Sequence, residues 1–274
     1  MSGGTGWRDP AGSGAAAASL GLAEAAEAIR KAVAPLLPGF SVEVAPELDS
    51  TNSELMRRSR SGRIEPLLLV AQRQTAGRGR LGRAWHADAG RALTFSLALP
   101  LAPAEWSGLS LAVGVALAES LHPEIRLKWP NDLWLRGRKL GGILIETAST
   151  GAEAGGARCA VIGVGINLAP PSAAGLATTP AWLGELLPQA QPAQTLLQLA
   201  PPLVEALLLF ERAGFAAFRT RFDARDALRG HAIVLSDGTA GTAAGTNEQG
   251  ALLVHTAGAV KTVTSSEVSV RPAA

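Results

Sequence analysis

A β-hairpin is predicted by the stretch Lys128-Trp-Pro-Asn-Asp-Leu-Trp-Leu-Arg-Gly-Arg-Lys-Leu-Gly-Gly-Ile-Leu-Ile-Glu146. Apolar residues precede and follow a polar turn at Arg136-Gly137, which is the pattern of two buried strands joined by a tight connection. Glycine accommodates the positive φ that such a turn requires. With this turn, the predicted register pairs Leu135 with Arg138, Trp134 with Lys139 and Asp132 with Gly141.

Two oppositely charged side chains, those of Asp132 and Lys139, stand among these largely apolar strands. In the predicted register they share one face as diagonal neighbours, roughly 7–8 Å apart. A carboxylate and an ammonium on one rigid hairpin can bind an anion and handle a proton, and Gly141-Gly142 lets a ligand approach the backbone. The alternative is a solvated ion pair on an exposed sheet face. The hairpin alone does not decide between the two.

The composition is that of a globular protein. With 274 residues, of which 47% are hydrophobic, the chain can bury a substantial core in one large domain, or in a large and a small one. No run of eighteen apolar residues occurs, and residues 1–14 lack the basic segment and apolar core of a signal peptide. We therefore expect a cytoplasmic protein without a membrane span.

Cysteine and histidine usage gives no sign of a disulfide framework or a metal site. The single Cys159 lies in a strand-like run and is expected to be a small core residue rather than a nucleophile. The histidines show no ligand spacing, so we expect no direct structural metal site. They are His86, His122, His231 and His255.

Basic residues are concentrated locally, although the net charge is only +2. Five arginines fall within residues 73–91, and this local field suits a phosphate-bearing small molecule at least as well as a polynucleotide. They are Arg73, Arg78, Arg80, Arg83 and Arg91. A nucleic-acid binder would need a wider basic face than one loop provides.

The segment Gly77-Arg-Gly-Arg-Leu-Gly82 satisfies the G-x-G-x-x-G pattern of dinucleotide-binding folds. A strand is predicted after it, and not the helix whose N-terminus would hold a pyrophosphate, so the pattern is disfavoured as a Rossmann site. A loop whose arginines bind phosphate or carboxylate fits better, because the guanidinium makes bidentate bonds to such groups. A solvated arginine loop is the alternative. Trp85 either stacks on a purine or is a core residue.

Helix and strand patterns fill residues 17–228. Apolar residues at helical spacing predict helices over residues 17–36 and 109–121, and a long helical region over 194–228 in which Pro201-Pro202 is expected to mark a helix start. Thr51 and Glu54 have capping-box spacing and predict another helix start. Strands are predicted over residues 40–44, 66–71, 92–99 and 161–168.

The composition changes after Gly230. Short β-branched runs are separated by Asp237-Gly238, Glu248-Gln-Gly250 and Ala257-Gly258, which is hairpin punctuation at close spacing. We expect an α+β protein with a disordered tail over residues 1–16, a large domain over 17–229 and a small, barrel-like β domain over 230–274.

Five motifs, in order, resemble those of biotin protein ligases. They are Leu48-Asp-Ser-Thr-Asn52, Gln74-Thr-Ala-Gly-Arg-Gly-Arg-Leu-Gly-Arg-Ala-Trp85, Lys128-Trp-Pro-Asn-Asp-Leu133, Arg138-Lys-Leu-Gly-Gly-Ile-Leu144 and Gly163-Val-Gly-Ile-Asn167. Segments 249–253 and 267–271 are also similar to that family's small C-terminal domain. The resemblance implies a mixed-sheet catalytic domain of the class II synthetase/biotin ligase type, followed by a small SH3-like β-barrel.

The resemblance also implies an activity and its residues. ATP and Mg²⁺ would activate biotin as biotinyl-5′-adenylate, and biotin would pass to one lysine of a biotin carboxyl carrier protein. The implied biotin contacts are Ser50, Thr51, Asn52, Gln74, Arg78, Gly79, Arg80, Lys139 and Gly142. The implied nucleotide contacts are Arg78, Arg80, Trp85, Asn131, Lys139 and Asn167. The implied catalytic residues are Lys139, Asp132 and Arg80.

Within that resemblance, Lys139 holds the reacting carboxylate and phosphate oxygens, and Asp132 lies where the acceptor lysine arrives. Asn131 is a candidate nucleotide or metal contact. Leu81 departs from a position that is often basic in the family's loop, which puts the tuning of loop closure in doubt. No N-terminal DNA-binding domain is expected before Leu48, so DNA binding is not expected.

Two rival functions remain open from the sequence. A lipoate ligase or octanoyl transferase shares the fold and also modifies a lysine, although residues 77–85 and 128–133 favour biotin. A sensor of biotinyl-adenylate would keep the pocket but could lose Asp132 or Lys139, and both are present. A sheet edge near the hairpin could support a homodimer.

Overall fold

The structure is a computed structural model that describes residues 21–86, 88–149, 157–171, 179–264 and 270–272. The tail expected over residues 1–16 lies outside these residues, as does the start of the helix expected over 17–36. The boundaries expected at residues 16 and 229 stay predictions.

A mixed sheet of seven strands forms the centre of the larger unit, as the predicted fold class requires. Its strand order is β1-β2-β3-β7-β6-β5-β4; β1 and β2 are parallel, and the other neighbouring pairs are antiparallel. The strands are β1 (Ser41–Leu48), β2 (Leu67–Gln74), β3 (Ala92–Leu101), β4 (Arg126–Lys128), β5 (Asp132–Leu135), β6 (Arg138–Ser149) and β7 (Arg158–Asn167).

Helices bury both faces of this sheet. The helices are α1 (Leu22–Val33), α2 (Thr51–Arg60), α3 (Leu109–Leu121), α4 (Pro192–Ala213) and the short α5 (Arg219–Asp223). The main apolar core lies among α1, α3, α4 and one sheet face. A smaller core under α2 includes Leu55, Leu69 and Cys159. The continuous apolar runs of β3 and β7 follow from burial on both faces.

Cys159 is a core residue, as predicted. It is buried in β7 with its Sγ 3.0 Å from Ser59 Oγ. Burial raises the pKa of the Cys159 thiol, and the Ser59 hydroxyl opposes that shift only in part. A thiol with a raised pKa in an apolar environment is a poor nucleophile.

The start of α2 differs from the predicted capping box. Ser50 is the N-cap, and its Oγ accepts a hydrogen bond from Ser53 N at 3.4 Å. Thr51 is already the first helical residue, and its hydroxyl donates to Gln74 at the end of β2 instead of capping the helix. Glu54 pairs with Arg57 and Arg58. The predicted capping box was therefore wrong by one position, because the threonine has a tertiary partner.

The prediction for Pro201-Pro202 was wrong. Helix α4 begins at Pro192, where a missing N–H is harmless, and both later prolines lie inside the helix. Burial of its apolar face, including Leu199 and Leu203, keeps the helix continuous although two backbone donors are lost. Helix α4 is also long and apolar enough to cross a membrane by length and composition, yet these same residues pack into the protein core.

The hairpin turn is confirmed, but its predicted register changes at one point. Arg136 and Gly137 have φ values of +49° and +75°, as a two-residue hairpin turn of type I′ requires. A β-bulge then places an extra β6 residue between the pairs Leu133–Gly141 and Trp134–Lys139. Asp132 consequently pairs with Gly142, and the predicted pairing with Gly141 was wrong.

The C-terminal β module is confirmed as an antiparallel sheet of five strands. The order is β11-β10-β9-β8-β12, formed by β8 (Ala232–Leu235), β9 (Ala240–Thr246), β10 (Leu252–His255), β11 (Val260–Val263) and β12 (Val270–Pro272). Its β9–β10 turn reaches the larger unit, where Gly250 O accepts a 3.0 Å hydrogen bond from the buried Trp129 Nε1. The C-terminal module therefore contacts the larger unit at the Lys128–Leu133 motif.

Candidate active site

A single cavity collects most of the predicted site residues from six parts of the chain. These segments are the start of α2, the end of β2, the loop that follows it, β3 and β7, and the hairpin β4–β6. The predicted residues that line it are Ser50, Thr51, Asn52, Gln74, Arg78, Gly79, Arg80, Trp85, Asn131, Asp132, Lys139 and Gly142. The remaining one, Asn167, is not part of this lining; it is buried, and its Nδ2 donates to Ala181 O at 3.0 Å.

The first side of the cavity, here called the inner wall, consists of Ser50, Thr51, Asn52, Gln74 and Ser96. Its side chains are uncharged and hydrogen-bond one another. Gln74 Oε1 accepts from Thr51 N at 2.7 Å and from Thr51 Oγ1 at 3.1 Å. The Ser96 hydroxyl lies 2.8 Å from Thr51 Oγ1 and 2.9 Å from Asn52 Oδ1. These contacts fix the polar atoms before any ligand arrives.

Ser96 is a site residue that the sequence analysis missed. It is completely buried in the middle of β3, between the buried Phe95 and Leu97. A lone serine inside a run of the type Thr-Phe-Ser-Leu-Ala-Leu was the available signal, because a buried hydroxyl requires a hydrogen-bond partner. Gly163, opposite it on β7, has no room for a side chain, since a Cβ there would overlap Asn52 Oδ1.

The opposite side, here called the hairpin wall, consists of Lys128, Asn131, Asp132, Lys139 and Gly142. Lys139 Nζ lies 2.7 Å from Asp132 Oδ1, so the predicted charge pair faces the cavity and is not an isolated surface pair. The Lys139 side chain is 43% exposed and that of Asp132 is 17% exposed. A Cβ at Gly142 would lie only 3.3 Å from Lys139 Nζ, so glycine leaves room for the lysine head group and its ligands.

Arg80 reaches the hairpin wall from the loop. Its Nη1 donates to Asn131 Oδ1 at 3.3 Å, while Asn131 Nδ2 donates to Ile143 O at 2.8 Å. Burial lowers the pKa of the Arg80 guanidinium, the nearby Arg83 lowers it further, and Asp132 opposes the shift. An arginine side chain remains protonated at neutral pH in proteins. A partly desolvated cation therefore stands beside the Asp132–Lys139 pair.

The glycine-arginine loop, residues 77–85, folds back on itself. Arg78 and Ala84 form an isolated antiparallel bridge, and Gly79 N donates to Arg83 O at 2.7 Å. A short 3-10 turn over Arg80–Gly82 carries Leu81 with φ +56° and 63% exposure. The described residues between Gly82 and β3, which exclude Ala87, contain no helix. The Rossmann interpretation is thus excluded here by local structure.

Trp85 lies against the cavity and is not a core residue. Its ring packs so closely on Gly165 that a Cβ there would lie 2.5 Å from it. Lys139 Nζ lies 6.0 Å from the ring centroid. The buried indole Nε1 has no hydrogen-bond partner among the described residues. An aromatic ring therefore lies beside the cationic group in the cavity.

Only three of the five clustered arginines line the cavity: Arg78, Arg80 and Arg83. Arg73 pairs with Glu47, and the Arg91 guanidinium donates to Pro170 O at 3.0 Å. The five arginines are therefore close in sequence, but only three of them come together at the cavity.

The cavity suits a reaction between two anionic groups in which one of the ligands also carries an uncharged polar part. The inner wall offers fixed neutral donors and acceptors, which bind a polar uncharged group without the large desolvation penalty of an ion. The hairpin wall and loop offer Lys139, Arg80 and Arg83, which stabilise developing negative charge on carboxylate or phosphate oxygens. Asp132 adds a carboxylate for an incoming cation.

The comparisons with known proteins agree with this geometry. Residues 44–167 match the biotin/lipoate A/B protein ligase family. The chain is 37% identical over 253 residues to the bifunctional ligase/repressor BirA of Escherichia coli (strain K12), covering 86% of this chain and 76% of that protein. It is 34% identical over 235 residues to the biotin–[acetyl-CoA-carboxylase] ligase of Paracoccus denitrificans, covering 80% of this chain and 96% of that protein.

A solved structure extends this similarity to three dimensions. The biotin protein ligase from Aquifex aeolicus in complex with biotin and ATP superposes with a TM-score of 0.71 at 28% sequence identity. The match covers 85% of this chain and 99% of that one.

Proposed function

The chain belongs to the biotin protein ligases, and from this premise we propose that it activates biotin with ATP and transfers the biotinyl group to one lysine of a biotin carboxyl carrier protein. The observation that carries the proposal is the single cavity in which the neutral inner wall, the Asp132–Lys139 pair and the glycine-arginine loop meet. The assignment of individual residues to biotin and nucleotide is part of the proposal.

In the first half-reaction, a carboxylate oxygen of biotin attacks the α-phosphorus of ATP, and the bond to the leaving pyrophosphate breaks. Two anions must therefore approach each other, so fixed positive charge at the reacting phosphorus is the main requirement. Lys139 and Arg80 supply that charge, and the inner wall orients the uncharged rings of biotin. Trp85 offers its face to the adenine.

Mg²⁺ would neutralise further charge on the triphosphate. A cation of this kind keeps several waters and takes one or two protein oxygens together with phosphate oxygens. The hairpin wall fits this requirement, because Asn131 and Asp132 line the cavity and each carries a side-chain oxygen that would hold the ion in exchange for its present partner.

In the second half-reaction, the amine of the carrier lysine attacks the acyl carbon, and the bond from that carbon to AMP breaks. A lysine with a pKa of about 10.4 is neutral in only about one part in a few thousand at pH 7. Asp132 binds the incoming ammonium in exchange for Lys139 and helps to remove its proton.

Further parts of the proposal concern location and assembly. We place the protein in the cytoplasm, where ATP is present and a lone cysteine stays reduced. A homodimer remains a prediction. Pairing through the β4 edge is disfavoured, because Leu127 N donates to Arg225 O at 2.8 Å and Ala227 N to Leu127 O at 2.9 Å along that edge. Absence of DNA binding also remains a prediction.

The test uses the purified chain with biotin, MgATP and a biotin carrier domain, followed by an avidin blot of the carrier. We expect ATP-dependent labelling that falls by about 10²- to 10³-fold in Lys139→Ala, as for loss of one group that stabilises a transition state. Lys31→Ala is the matched control, since that lysine is exposed on α1.

Other results would redirect the assignment. Labelling of a lipoyl domain by lipoate, without labelling by biotin, would identify the lipoate-type enzyme. Binding of biotin without labelling of either carrier would identify a sensor.

A further inference from the structure

Glu146 lies next to the cavity and contacts residues in two parts of it, the inner wall and the glycine-arginine loop. It lies on β6, is not part of the cavity lining, and its side chain is 24% exposed. Oε2 accepts from Asn52 Nδ2 at 2.8 Å, and Oε1 accepts from Arg78 Nη2 at 2.8 Å. One carboxylate therefore connects the inner wall to the glycine-arginine loop.

The contact with Asn52 fixes which way the amide faces. An ionised carboxylate only accepts hydrogen bonds, so the amino group of Asn52 must point to Glu146. The carbonyl oxygen of Asn52 then faces Ser96 Oγ at 2.9 Å and occupies the space that glycine leaves open at position 163. A flipped amide would place two acceptors together. Glu146 thus determines which hydrogen-bonding atom of Asn52 belongs to the inner wall.

The contact with Arg78 ties this loop arginine to the protein. Arg78 donates from Nη1 to Ser53 Oγ at 3.0 Å and from Nη2 to Glu146, so its charge is matched by a carboxylate. An arginine already paired with a carboxylate is a weaker ligand for a substrate anion, because that ion pair must first break.

We propose that Glu146 is a positioning residue that clasps the glycine-arginine loop over the cavity through Arg78 while it fixes the amide of Asn52. Arg78 then serves mainly to hold the loop. The inference rests on the proposed function only for its kinetic consequence, which is retention of the adenylate between the two half-reactions. The clasp itself is a property of the protein without substrates.

The clasp is tested first by limited trypsin digestion without biotin or ATP. Trypsin cleaves after arginine and can therefore cut at the loop residues 78, 80 and 83. Cleavage there requires the loop to open. Glu146→Gln keeps an acceptor for Asn52 but removes the ion pair. Since a partly exposed ion pair contributes only modestly to stability, we expect about two- to fivefold faster cleavage in the loop. Glu124→Gln, which removes an exposed ion pair with Arg136 at the hairpin turn, is the matched control.

The second measurement is the rate at which preformed biotinyl-adenylate leaves the enzyme. We expect Glu146→Gln and Arg78→Gln each to raise this rate about two- to fivefold, and the double variant to add nothing further, because both remove one interaction. Glu146→Ala should in addition raise the KM for biotin, since the Asn52 amide is then released.

The results separate the clasp from the proposed function. Unchanged loop cleavage in Glu146→Gln, or an equal change in Glu124→Gln, would overturn the clasp whatever the enzyme catalyses. Additive effects of the two single substitutions would also overturn it. Failure of the wild-type protein to label a carrier would overturn the proposed function and leave the digestion result to judge the clasp.

Discussion

The inner wall and the hairpin wall solve different problems with different side chains. On the inner wall, Thr51 and Asn52 are each 3% exposed, and their partners within that wall, Gln74 and Ser96, are neutral. On the hairpin wall, Lys139 and Asp132 are charged and considerably more accessible. The first is a rigid, pre-formed set of hydrogen-bonding atoms, and the second is a set of ions that can exchange partners.

This difference assigns a task to each wall. Buried neutral groups discriminate by shape and hydrogen bonding, because a ligand that fails to match them leaves polar atoms unpaired. Partly solvated ions exchange partners at a smaller penalty, so Lys139 can leave Asp132 for a phosphate oxygen and Asp132 can accept an ammonium. Damage to the inner wall should therefore affect binding, and damage to the hairpin wall should affect chemical steps.

The largest expected effect comes from Asp132→Ala on the hairpin wall. Removal of the carboxylate should slow transfer to the carrier lysine by about 10²- to 10³-fold more than it slows adenylate formation, because only transfer requires an amine to lose a proton. The two half-reactions are measured separately, as pyrophosphate release and as labelling of the carrier. Asp237→Ala, at an exposed carboxylate in the C-terminal sheet, is the control. Equal slowing of both half-reactions would contradict the role of Asp132.

Gly163→Ala should affect the inner wall next most strongly. The added methyl group would overlap Asn52 Oδ1, so the amide must move and the hydrogen bond to Ser96 must lengthen. We expect biotin affinity to fall by about tenfold, in line with the 1–3 kcal/mol typical of overpacking, while the rate at saturating biotin changes less. Gly258→Ala, where a Cβ meets nothing within 4 Å, is the matched control. An unchanged dissociation constant measured by calorimetry would show that this wall is more plastic than its packing indicates.

The smallest effect should come from the support behind the hairpin wall. In Gly250→Ala, the new Cβ would lie 2.8 Å from Gly108 Cα, which would displace the turn whose carbonyl accepts from Trp129 Nε1. We expect a few-fold lower rate of adenylate formation, because loss of one such hydrogen bond changes free energies by about 1 kcal/mol.

The control for this substitution is Gly238→Ala. Gly238 has nearly the same positive φ, +84° against +80°, and open space around it. Both variants carry the same backbone strain, so a difference between their rates reports contact with the larger unit. Equal rates would show that the hairpin wall does not depend on the C-terminal sheet.

The two walls also differ in how far the sequence reveals them. The hairpin wall lies within nineteen consecutive residues, and local rules for turns and alternation correctly predicted its turn and its facing charges. The β-bulge was not predicted, because it depends on how β6 also pairs with β7. Thr51 was similarly predicted to be the N-cap, although its hydroxyl donates a hydrogen bond to Gln74 on β2.

The inner wall is assembled from segments that lie far apart in the chain. Ser96 and Glu146 were both missed, since a serine in a buried strand signals only that its hydroxyl needs a partner, and Glu146 simply ends an apolar run. Their partners are residues 44 to 94 positions away. Pro201-Pro202 shows the same limit in the core, where burial outweighed a strong local signal.

Sequence by itself determined the elements, the hairpin with its charge pair, the basic loop and the family, because these depend on short-range periodicity, turn chemistry and motifs of contiguous residues. Only the tertiary structure decided the bulged register, the division of the arginines between the cavity and the surface, and the hydrogen-bond partners of Asn52 and Arg78. The physical reason is that hydrogen bonds and ion pairs act over a few ångströms. Which groups come that close is set by the packing of strands that the chain visits far apart in sequence.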